Sequence, residues 1–286
     1  MKKLLLQLDS DKHPSVFDTI TAYDAGADHV LALGDVAVED VRDLVYGAMF
    51  TRGGEALKNS AVFIGGSDVP TGEAMLKAAT DAFFGPVRVS VMMDSNGCNT
   101  TAASAVAKIL GAADVKGKKA VVLAGTGPVG MRAAAFLAKE GCQTFLTSRR
   151  LERAQKAAAQ IKERFSVEVT PLAVSDEATT GQALEDAAVV LTAGKAGVQL
   201  VPQALWTEHP TLQVLADVNA VPPLGIEGIK PHWDGKEKFG KVIFGALGIG
   251  GLKMKVHRAC VARLFESNEL VLDAEKVFAI AREMGG

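Results

Sequence analysis

One stretch of the chain, residues 120–130, decides the fold, and it reads AVVLAGTGPVG. Its first five residues form a short apolar run, which is typical of a buried strand. The glycines that follow have the spacing G-x-G-x-x-G, and a helix is predicted to begin near Val129. A strand, a glycine-rich turn and a helix in this order are the local structure that binds a dinucleotide.

Each glycine of this turn has a physical task. Gly125 allows the tight turn, Gly127 lets the backbone approach a pyrophosphate, and Gly130 lets the helix pack close to the strand. The helix amino terminus adds free N–H groups and a partial positive charge. A glycine-rich turn without a ligand is the alternative, and the flanking strands and helices favour the dinucleotide. The predicted cofactor-binding residues of the turn are Gly125, Thr126, Gly127, Pro128, Val129 and Gly130.

The end of the next strand indicates which dinucleotide is bound. An NAD site usually has a carboxylate there to hold the ribose 2′-hydroxyl. Here the predicted strand 143–147 is followed by Ser148, Arg149 and Arg150. Because guanidinium groups bind phosphate through paired donors, these residues favour NADP, with NAD as a weaker second cofactor. The alternative is a solvated basic pair at a helix start. We expect Arg149→Ala or Arg150→Ala to weaken NADP much more than NAD.

A second loop is predicted near the nicotinamide ring. Thr192, Ala193 and Gly194 follow the fourth strand of this region, where loops usually pass close to that ring. A generic turn at a strand end is the alternative.

Working outward, strands alternate with helices along the whole chain, which predicts parallel sheets with helical crossovers. The predicted strands are 4–8, 29–33, 60–64, 87–93, 120–124, 143–147, 167–170, 188–192, 212–216 and 242–247. The predicted helices are 16–23, 38–50, 72–83, 99–110, 129–140, 151–164, one near 180–186, and a helical tail, 255–284.

These elements predict an α/β fold with two domains. Residues 1–98 would form an α/β domain with a mostly parallel sheet, and residues 99–257 a Rossmann dinucleotide-binding domain. The C-terminal helix, about 258–286, is a candidate to pack back on the first domain.

Composition excludes several other classes of protein. The 286 residues carry 31 basic and 33 acidic side chains, a net charge of −2, which argues against nucleic-acid binding. The apolar fraction of 48% provides for sizeable cores. No apolar run reaches the ~20 residues of a membrane helix. Cys98, Cys142 and Cys260 have neither disulfide nor zinc spacing, so we expect reduced thiols, no metal site and a cytoplasmic protein.

The chain also lacks the side chains of several catalytic schemes. Its tyrosines, Tyr23 and Tyr46, are followed four residues later by Ala27 and Phe50, so the Tyr-x-x-x-Lys pair of short-chain dehydrogenases is missing. Alcohol oxidation needs a general base. Oxidation of a methylene carbon held between two nitrogens needs none, because the nitrogens stabilise the cation that remains. A nucleotide site with poor acid–base equipment therefore favours that kind of hydride transfer.

Several long motifs resemble one family, the bacterial NADP-dependent methylene-tetrahydromethanopterin dehydrogenases of formaldehyde oxidation in methylotrophs. They are PSVFD (14–18), YGAMFTRGG (46–54), FFGP (83–86), DSNGCNTTA (94–102), GTGPVGM (125–131), NAVPPLGI (219–226), FGALGIGGLK (244–253) and HRAC (257–260). The resemblance covers the whole chain. It implies that residues 1–98 form the pterin-binding substrate domain, that a Rossmann domain follows, and that a cleft lies between the two. It also implies a homo-oligomer, a trimer or a hexamer. Asn219, which opens one motif, is placed with the cofactor-binding residues.

The residues that would hold the pterin follow from this resemblance and from their positions after strands. For some of them helix capping is the alternative role, and capping and binding can coexist. The predicted substrate-binding residues are Ser15, Asp18, Thr51, Arg52, Gly53, Asp94, Asn96 and Asn99.

Two lysines follow the glycine-rich stretch 245–251, which looks like a mobile loop. Lys253 and His257 are four residues apart and share a helix face, whereas Lys255 points elsewhere. A lysine in the cleft could hold the pterin carbonyl or its negative tail. The alternative for either is a solvated helix lysine.

The leading hypothesis is therefore NADP-dependent oxidation of methylene-tetrahydromethanopterin to the methenyl form. One alternative is a methylene-tetrahydrofolate dehydrogenase, or an enzyme with dual NAD and NADP specificity. The second alternative is a dinucleotide-binding regulatory protein without turnover.

Overall fold

The computed structural model describes residues 1–285, which form two compact units. Unit 1 holds Met1–Thr100 and Met254–Ile280, and unit 2 holds Thr101–Lys253 and the described residues from Ala281 onward.

The strands are β1 (Leu4–Leu8), β2 (His29–Leu33), β3 (Ser60–Ile64), β4 (Ser90–Met93), β5 (Lys119–Leu123), β6 (Gln143–Ser148), β7 (Thr170–Ala173), β8 (Ala187–Thr192), β9 (Val214–Asp217), β10 (Asp234–Lys238), β11 (Lys241–Phe244) and β12 (Val271–Leu272). The α-helices are α1 (Val16–Asp24), α2 (Val41–Phe50), α3 (Val69–Asp81), α4 (Cys98–Ala112), α5 (Pro128–Lys139), α6 (Leu151–Phe165), α7 (Glu177–Leu184), α8 (Ala246–Arg263) and α9 (Ala274–Gly285). Short 3₁₀ turns cover Val38–Asp40, Gly54–Asn59, Ser95–Gly97 and Gln203–Leu205.

Unit 1 is built on a five-stranded sheet in the order β12-β4-β3-β1-β2. Every neighbouring pair is parallel, with Leu4 of β1 opposite His29 on one side and Ser60 on the other. The chain leaves β1 toward β2 and then returns past β1 to β3. Crossovers that leave in opposite directions open a crevice at the carboxyl ends of β1 and β3.

Unit 2 is built on a seven-stranded sheet in the order β10-β11-β9-β8-β5-β6-β7. All pairs are parallel except β10 with β11, so six strands have the order of a dinucleotide-binding sheet and β10 is added at the edge. Its crevice lies at the carboxyl ends of β5 and β8. The predicted α/β class, with a parallel sheet and a Rossmann-like sheet, is confirmed.

Most predicted elements are present, with shifted ends. The helix predicted from Gly72 begins at Val69, because the Asp68 carboxylate caps it by accepting from the N–H of Thr71 at 2.8 Å and Pro70 suits the first turn. The strand predicted from Val87 begins only at Ser90.

Two expectations for the C-terminal third are wrong. Residues 246–251 of the glycine-rich stretch form the start of α8, so the stretch is not a loop. A side chain at Gly245 or Gly248 would lie 2.3 or 2.2 Å from the backbone oxygen of Lys230 or Trp233, so these glycines serve close packing. The tail is also not one helix, because β12 interrupts it and pairs with β4. The polar strand β10 gave no apolar signal and was missed.

Candidate functional site

The turn after β5 has the geometry of a phosphate cradle. A side chain at Gly125 would lie 2.5 Å from Leu146 and one at Gly130 would lie 2.5 Å from the Gly125 backbone, so both positions require glycine. At Gly127, in contrast, a side chain would meet nothing within 4 Å. Gly127 is also the N-cap of α5, and no side chain caps it. The start of α5 therefore has no side-chain cap and has open space at Gly127, which suits an approaching phosphate.

A basic pocket adjoins this turn at the end of β6. The pocket has a volume of about 350 Å³ and is lined by Ser148, Arg149, Arg150 and Arg153. All three arginines are exposed, and Arg150 is the N-cap of α6. Three guanidinium groups and a helix amino terminus together suit a phosphate monoester.

A second, more enclosed cavity of about 230 Å³ lies beside the basic pocket. Its wall is largely apolar, and Ser148 and Arg149 line both cavities. Apolar side chains with a few polar groups at the rim suit a flat aromatic base. The lining residues are Leu123, Ala124, Thr147, Ser148, Arg149, Val174, Thr180, Gly194, Lys195, Val198 and Leu200.

The ends of β8 and β9 are joined through a buried carboxylate. Thr192 donates to Asp217 Oδ1 at 2.8 Å, and the N–H of Asn219 donates to the same oxygen at 2.9 Å. The N–H of Ile226 donates to Oδ2 at 3.2 Å. Burial raises the pKa of Asp217, while these hydrogen bonds oppose the rise. Both Thr192 and Asn219 thus have structural contacts at this loop, and the Asn219 amide also donates to the carbonyl of Pro223.

In unit 1, two carboxylates lie beside Gly65 at the crevice of the sheet. A side chain at Gly65 would lie 3.2 Å from Asp9 Oδ2 and 3.6 Å from Asp18 Oδ2. Asp9 is buried and accepts from the N–H of Ser15 at 2.9 Å, while Ser15 Oγ caps α1 by accepting from the N–H of Asp18. Ser15 and Asp18 are therefore held at the carboxyl end of β1.

A buried histidine stands behind Asp18. His257 Nε2 lies 3.9 Å from Asp18 Oδ1, and its ring stacks on Phe63 with a centroid distance of 5.4 Å. Phe17 approaches the same ring at 6.2 Å and is half-exposed. His257 belongs to α8, so this helix packs next to the carboxyl end of β1.

The polar residues after β4 are engaged within unit 1. Asp94 is 1% exposed and accepts from the N–H groups of Asn99 and Thr100 and from Thr100 Oγ1, at 2.8, 3.0 and 2.5 Å. The buried Asn99 amide donates to the carbonyl of Met93. Asn96 is exposed and has φ of 53°, with its N–H donating to the carbonyl of Gly66. Of the predicted substrate residues here, only Asn96 presents its side chain to solvent.

The turn Thr51–Gly53 lies at the wrong end of the sheet for the predicted site. It follows α2 and precedes β3, so it belongs to the amino edge, whereas Asp9 and Gly65 follow their strands. Arg52 donates to the carbonyl of Asn59 at 2.5 Å and closes this turn. The structure therefore does not bring Thr51, Arg52 and Gly53 together with Ser15 and Asp18.

The two lysines of α8 differ in exposure. Lys255 is exposed, whereas Lys253 is half-buried and lies on the helix face of His257. Between the two, the geometry favours Lys253 for a role beside His257.

Some residues of these regions were missed at the sequence level. Arg153 follows Arg150 by three residues, which places both on one side of α6, so helical spacing was an available signal. Asp9 directly follows β1 and was a candidate by position. Asp217 and Gly225 are far from Thr192 in sequence, and only the fold brings them next to it.

Neither a metal centre nor a membrane-spanning helix is found among the described residues, 1–285. They contain no cluster of three or more His, Cys, Asp or Glu side chains suited to a metal ion. None of their helices has the length and apolar content to cross a membrane.

Comparison with known proteins places these regions in a family. Residues 16–96 match the family model for the N-terminal part of methylene-tetrahydromethanopterin dehydrogenase. The bifunctional protein MdtA of Methylorubrum extorquens is 53% identical over 99% of both chains. The NAD(P)-dependent methylenetetrahydromethanopterin dehydrogenase of the same organism is 34% identical, covering 100% of this chain and 99% of the relative.

A solved structure shows the same fold. Shikimate 5-dehydrogenase of Listeria monocytogenes, in complex with shikimate and NAD, superposes with a TM-score of 0.54 at 13% identity and covers 98% of this chain and 96% of its own. At that identity only the fold is shared. The two full-length relatives decide the family, and this chain belongs to the methylene-tetrahydromethanopterin dehydrogenases.

Proposed function

We propose that this chain oxidises methylene-tetrahydromethanopterin to methenyl-tetrahydromethanopterin with NADP, by direct hydride transfer, in one-carbon metabolism of formaldehyde. The observation that carries the cofactor choice is the pocket lined by Arg149, Arg150 and Arg153 beside the open Gly127. The relative named as NAD(P)-dependent supports a nicotinamide cofactor in either form.

The residues of unit 2 fit such a cofactor part by part. The N–H groups at the start of α5 would hold the diphosphate, since no side chain fills the space at Gly127. The three arginines would hold the 2′-phosphate, and the apolar cavity would take the adenine. The chemistry that a bound nicotinamide ring supplies is hydride acceptance.

Acid–base catalysis has no part in the proposed reaction. The buried carboxylate at the end of β9, Asp217, is bonded to Thr192 and to backbone N–H groups, so it fixes the loop of Asn219 rather than moving a proton. The methenyl cation is stabilised by its own two nitrogens. The protein then needs only to align the donor carbon and exclude water.

On the substrate side, the proposal assigns contacts to side chains at the carboxyl edge of the unit 1 sheet. Asp18, Ser15 and Asn96 are placed there, and a carboxylate beside Gly65 can accept hydrogen bonds from the amide and amino groups of a pterin. Lys253 is the preferred lysine for the substrate carbonyl or tail, and Lys255 is the lesser candidate.

Two alternatives stay open. One is turnover of methylene-tetrahydrofolate, or use of NAD as well as NADP. The 53% identical relative is itself named a bifunctional protein, which keeps a second activity in view. The other is a regulatory protein that binds the dinucleotide without turnover. A cytoplasmic location and a homo-oligomer, a trimer or a hexamer, remain predictions.

An absorbance assay with four combinations tests the proposal. Methylene-tetrahydromethanopterin or methylene-tetrahydrofolate is supplied with NADP or NAD, and reduction of the cofactor is followed. Turnover with the methanopterin and NADP is expected to be fastest, by at least tenfold over the methanopterin with NAD. Silence in all four combinations, with NADP still binding, would contradict the reaction and favour the regulatory alternative.

A further inference from the structure

The candidate cofactor-binding features of unit 2 follow one another along the carboxyl edge of its sheet. The arginine pocket follows β6, the open turn at Gly127 follows β5, and β8 and β9 come next in the sheet. A dinucleotide with its 2′-phosphate at β6 and its diphosphate at β5 would therefore extend its nicotinamide toward β8 and β9. Two strand spacings, about 10 Å, separate β5 from β9, and a ribose with its ring can span such a distance.

The loop that follows β9 has an exposed apolar tip. Residues 220–223 read AVPP and are all exposed, whereas Asp217 before them and Ile226 after them are buried. We call residues 220–223 the β9 tip. Its two prolines have a fixed φ and stiffen it. Val221, the largest apolar side chain of the tip, is 53% exposed, and an apolar surface at this edge of the sheet suits a flat ring.

One buried carboxylate holds both ends of this loop. Asp217 Oδ1 accepts from the N–H of Asn219 at 2.9 Å, and Oδ2 accepts from the N–H of Ile226 at 3.2 Å. The hydroxyl of Thr192, at the end of β8, donates to the same Oδ1 at 2.8 Å. A side chain at Gly225 would lie 2.7 Å from Thr192 Oγ1, so the loop packs closely on this group. The β9 tip is therefore tied to both strands through Asp217.

The Asn219 side chain holds the β9 tip from within the loop. Its Oδ1 accepts from the N–H of Val221 at 2.9 Å, and its Nδ2 donates to the carbonyl of Pro223 at 3.1 Å. These contacts are all made within the protein, so the loop has its shape before a cofactor binds. A surface that is already in place lowers the free-energy cost of aligning a bound ring.

We propose that Asp217 is a positioning residue for the nicotinamide ring, and that it holds the β9 tip so that Val221 packs against the ring. This assignment rests on the proposed function, which supplies the identity of the cofactor. Because Asp217 is 0% exposed, it acts through the loop and not by contact with the ring.

Two probes separate contacts with the ring from contacts with the 2′-phosphate. NADPH carries a fluorescent reduced ring whose emission rises where water is excluded, and adenosine 2′,5′-bisphosphate carries the 2′-phosphate without a ring. The wild type is expected to raise the emission of NADPH at least twofold on binding. Val221→Ala, Thr192→Val and Asp217→Asn should each lose at least half of that rise. The dissociation constant of the bisphosphate, measured by calorimetry, should change by less than twofold.

Matched variants control for a general disturbance of unit 2. Thr192→Ser keeps the donating hydroxyl and should keep the wild-type emission. Thr144→Val removes another buried hydroxyl of the same sheet, and Phe239→Ala removes an exposed apolar side chain in the turn between β10 and β11. Both should keep the wild-type emission as well. In turnover, Val221→Ala should lower kcat at least threefold with less than a twofold change in KM for NADP, since alignment and not affinity is lost.

The outcomes for the positioning role and for the proposed function can be told apart. Wild-type emission in both Val221→Ala and Thr192→Val would overturn the positioning role, and so would an equal loss of affinity for NADPH and the bisphosphate. If Asp217→Asn does not fold, those two variants decide. A wild type that binds NADPH without turnover, while the variants lose emission as expected, would contradict the proposed reaction and support the positioning role.

Discussion

The carboxyl edges of the two sheets use their polar groups in opposite ways. At the edge of unit 2, Gly127 faces open space and Arg149 and Arg150 are exposed. At the edge of unit 1, Asp94 is 1% exposed and accepts three hydrogen bonds from its own helix start. One edge leaves its donors exposed, whereas many polar groups of the other edge are already hydrogen-bonded within the fold.

A polar residue that follows a strand can have either of two roles. Its position alone suits both a ligand and a helix cap. What separates the two is whether its hydrogen-bonding capacity is already satisfied by buried partners. By that measure Asp94 and Asn99 hold the start of α4, while the arginines after β6 are available for binding.

The largest expected effect is on stability, in unit 1. Asp94→Ala should lower the free energy of unfolding by about 4 kcal/mol, because it leaves buried N–H groups of Asn99 and Thr100 without their acceptor. Denaturant unfolding measures this loss. The control, Asp81→Ala, removes an exposed ion pair with Lys77 and should change stability by less than about 1 kcal/mol.

The same variant can break the comparison. If Asp94→Ala unfolds at the wild-type denaturant concentration but raises KM for the pterin, Asp94 is a ligand and the edge of unit 1 is more open than described.

The next effect is on cofactor affinity, in unit 2. Gly127→Val should weaken NADP and NAD alike by roughly 100-fold, because the side chain fills the approach to the diphosphate. Its φ of −82° and ψ of 170° suit valine, so the melting temperature should hold. Calorimetric titration gives the affinities. Gly47→Ala, a change at a glycine of α2 with equally open surroundings, is the control and should affect neither cofactor.

A smaller effect separates the two cofactors. Arg153→Ala should weaken NADP about tenfold and leave NAD unchanged, since only NADP carries the 2′-phosphate. Arg149→Ala and Arg150→Ala should act in the same direction. Lys156→Ala, on the same helix but outside the pocket lining, controls for loss of charge. Equal losses of affinity for NADP and NAD would mean that these arginines do not bind the 2′-phosphate.

The smallest expected effect is on the pH dependence of stability, at a residue away from both carboxyl edges. Burial and the charge of Lys241 lower the pKa of His209, which accepts from the N–H groups of Thr211 and Leu212. The unfolded chain therefore binds this proton more readily, and stability is lost as the pH falls below about 6.5.

The His209→Asn variant checks that pH dependence. Asparagine keeps an acceptor but does not titrate, so the fall in melting temperature between pH 7.5 and 5.5 should be smaller than in the wild type by about 1–2 °C. An unchanged difference would mean that another group titrates. NADP affinity should be the same in both proteins at pH 7.5.

Much of this architecture could be predicted from local sequence signals. The Gly125–Gly130 turn predicts a nucleotide-binding type of sheet, and short apolar runs predict the ends of β1, β2 and β3 to the residue. Polar strand β10 could not be predicted, because an exposed edge strand needs no apolar pattern.

The candidate site could be predicted only where its residues are close in sequence. Arg149 and Arg150 directly follow a strand, so their position at the carboxyl edge of the sheet could be predicted. The contacts of Asp217 with Thr192 and of His257 with Asp18 join residues that are far apart in the chain, and only the fold brings them together. The position of Thr51–Gly53 at the amino edge could not be predicted for a related reason, since the two edges of a sheet look alike in sequence.

The central claim is that the carboxyl edge of the unit 2 sheet binds NADP and that its arginines recognise the 2′-phosphate. Titration calorimetry of the wild type with NADP and then with NAD tests it most directly. The account predicts that NADP binds at least tenfold more tightly, and that combined alanine substitution of Arg149, Arg150 and Arg153 removes the difference. Equal affinity for the two cofactors in the wild type, or no binding of either, would contradict it.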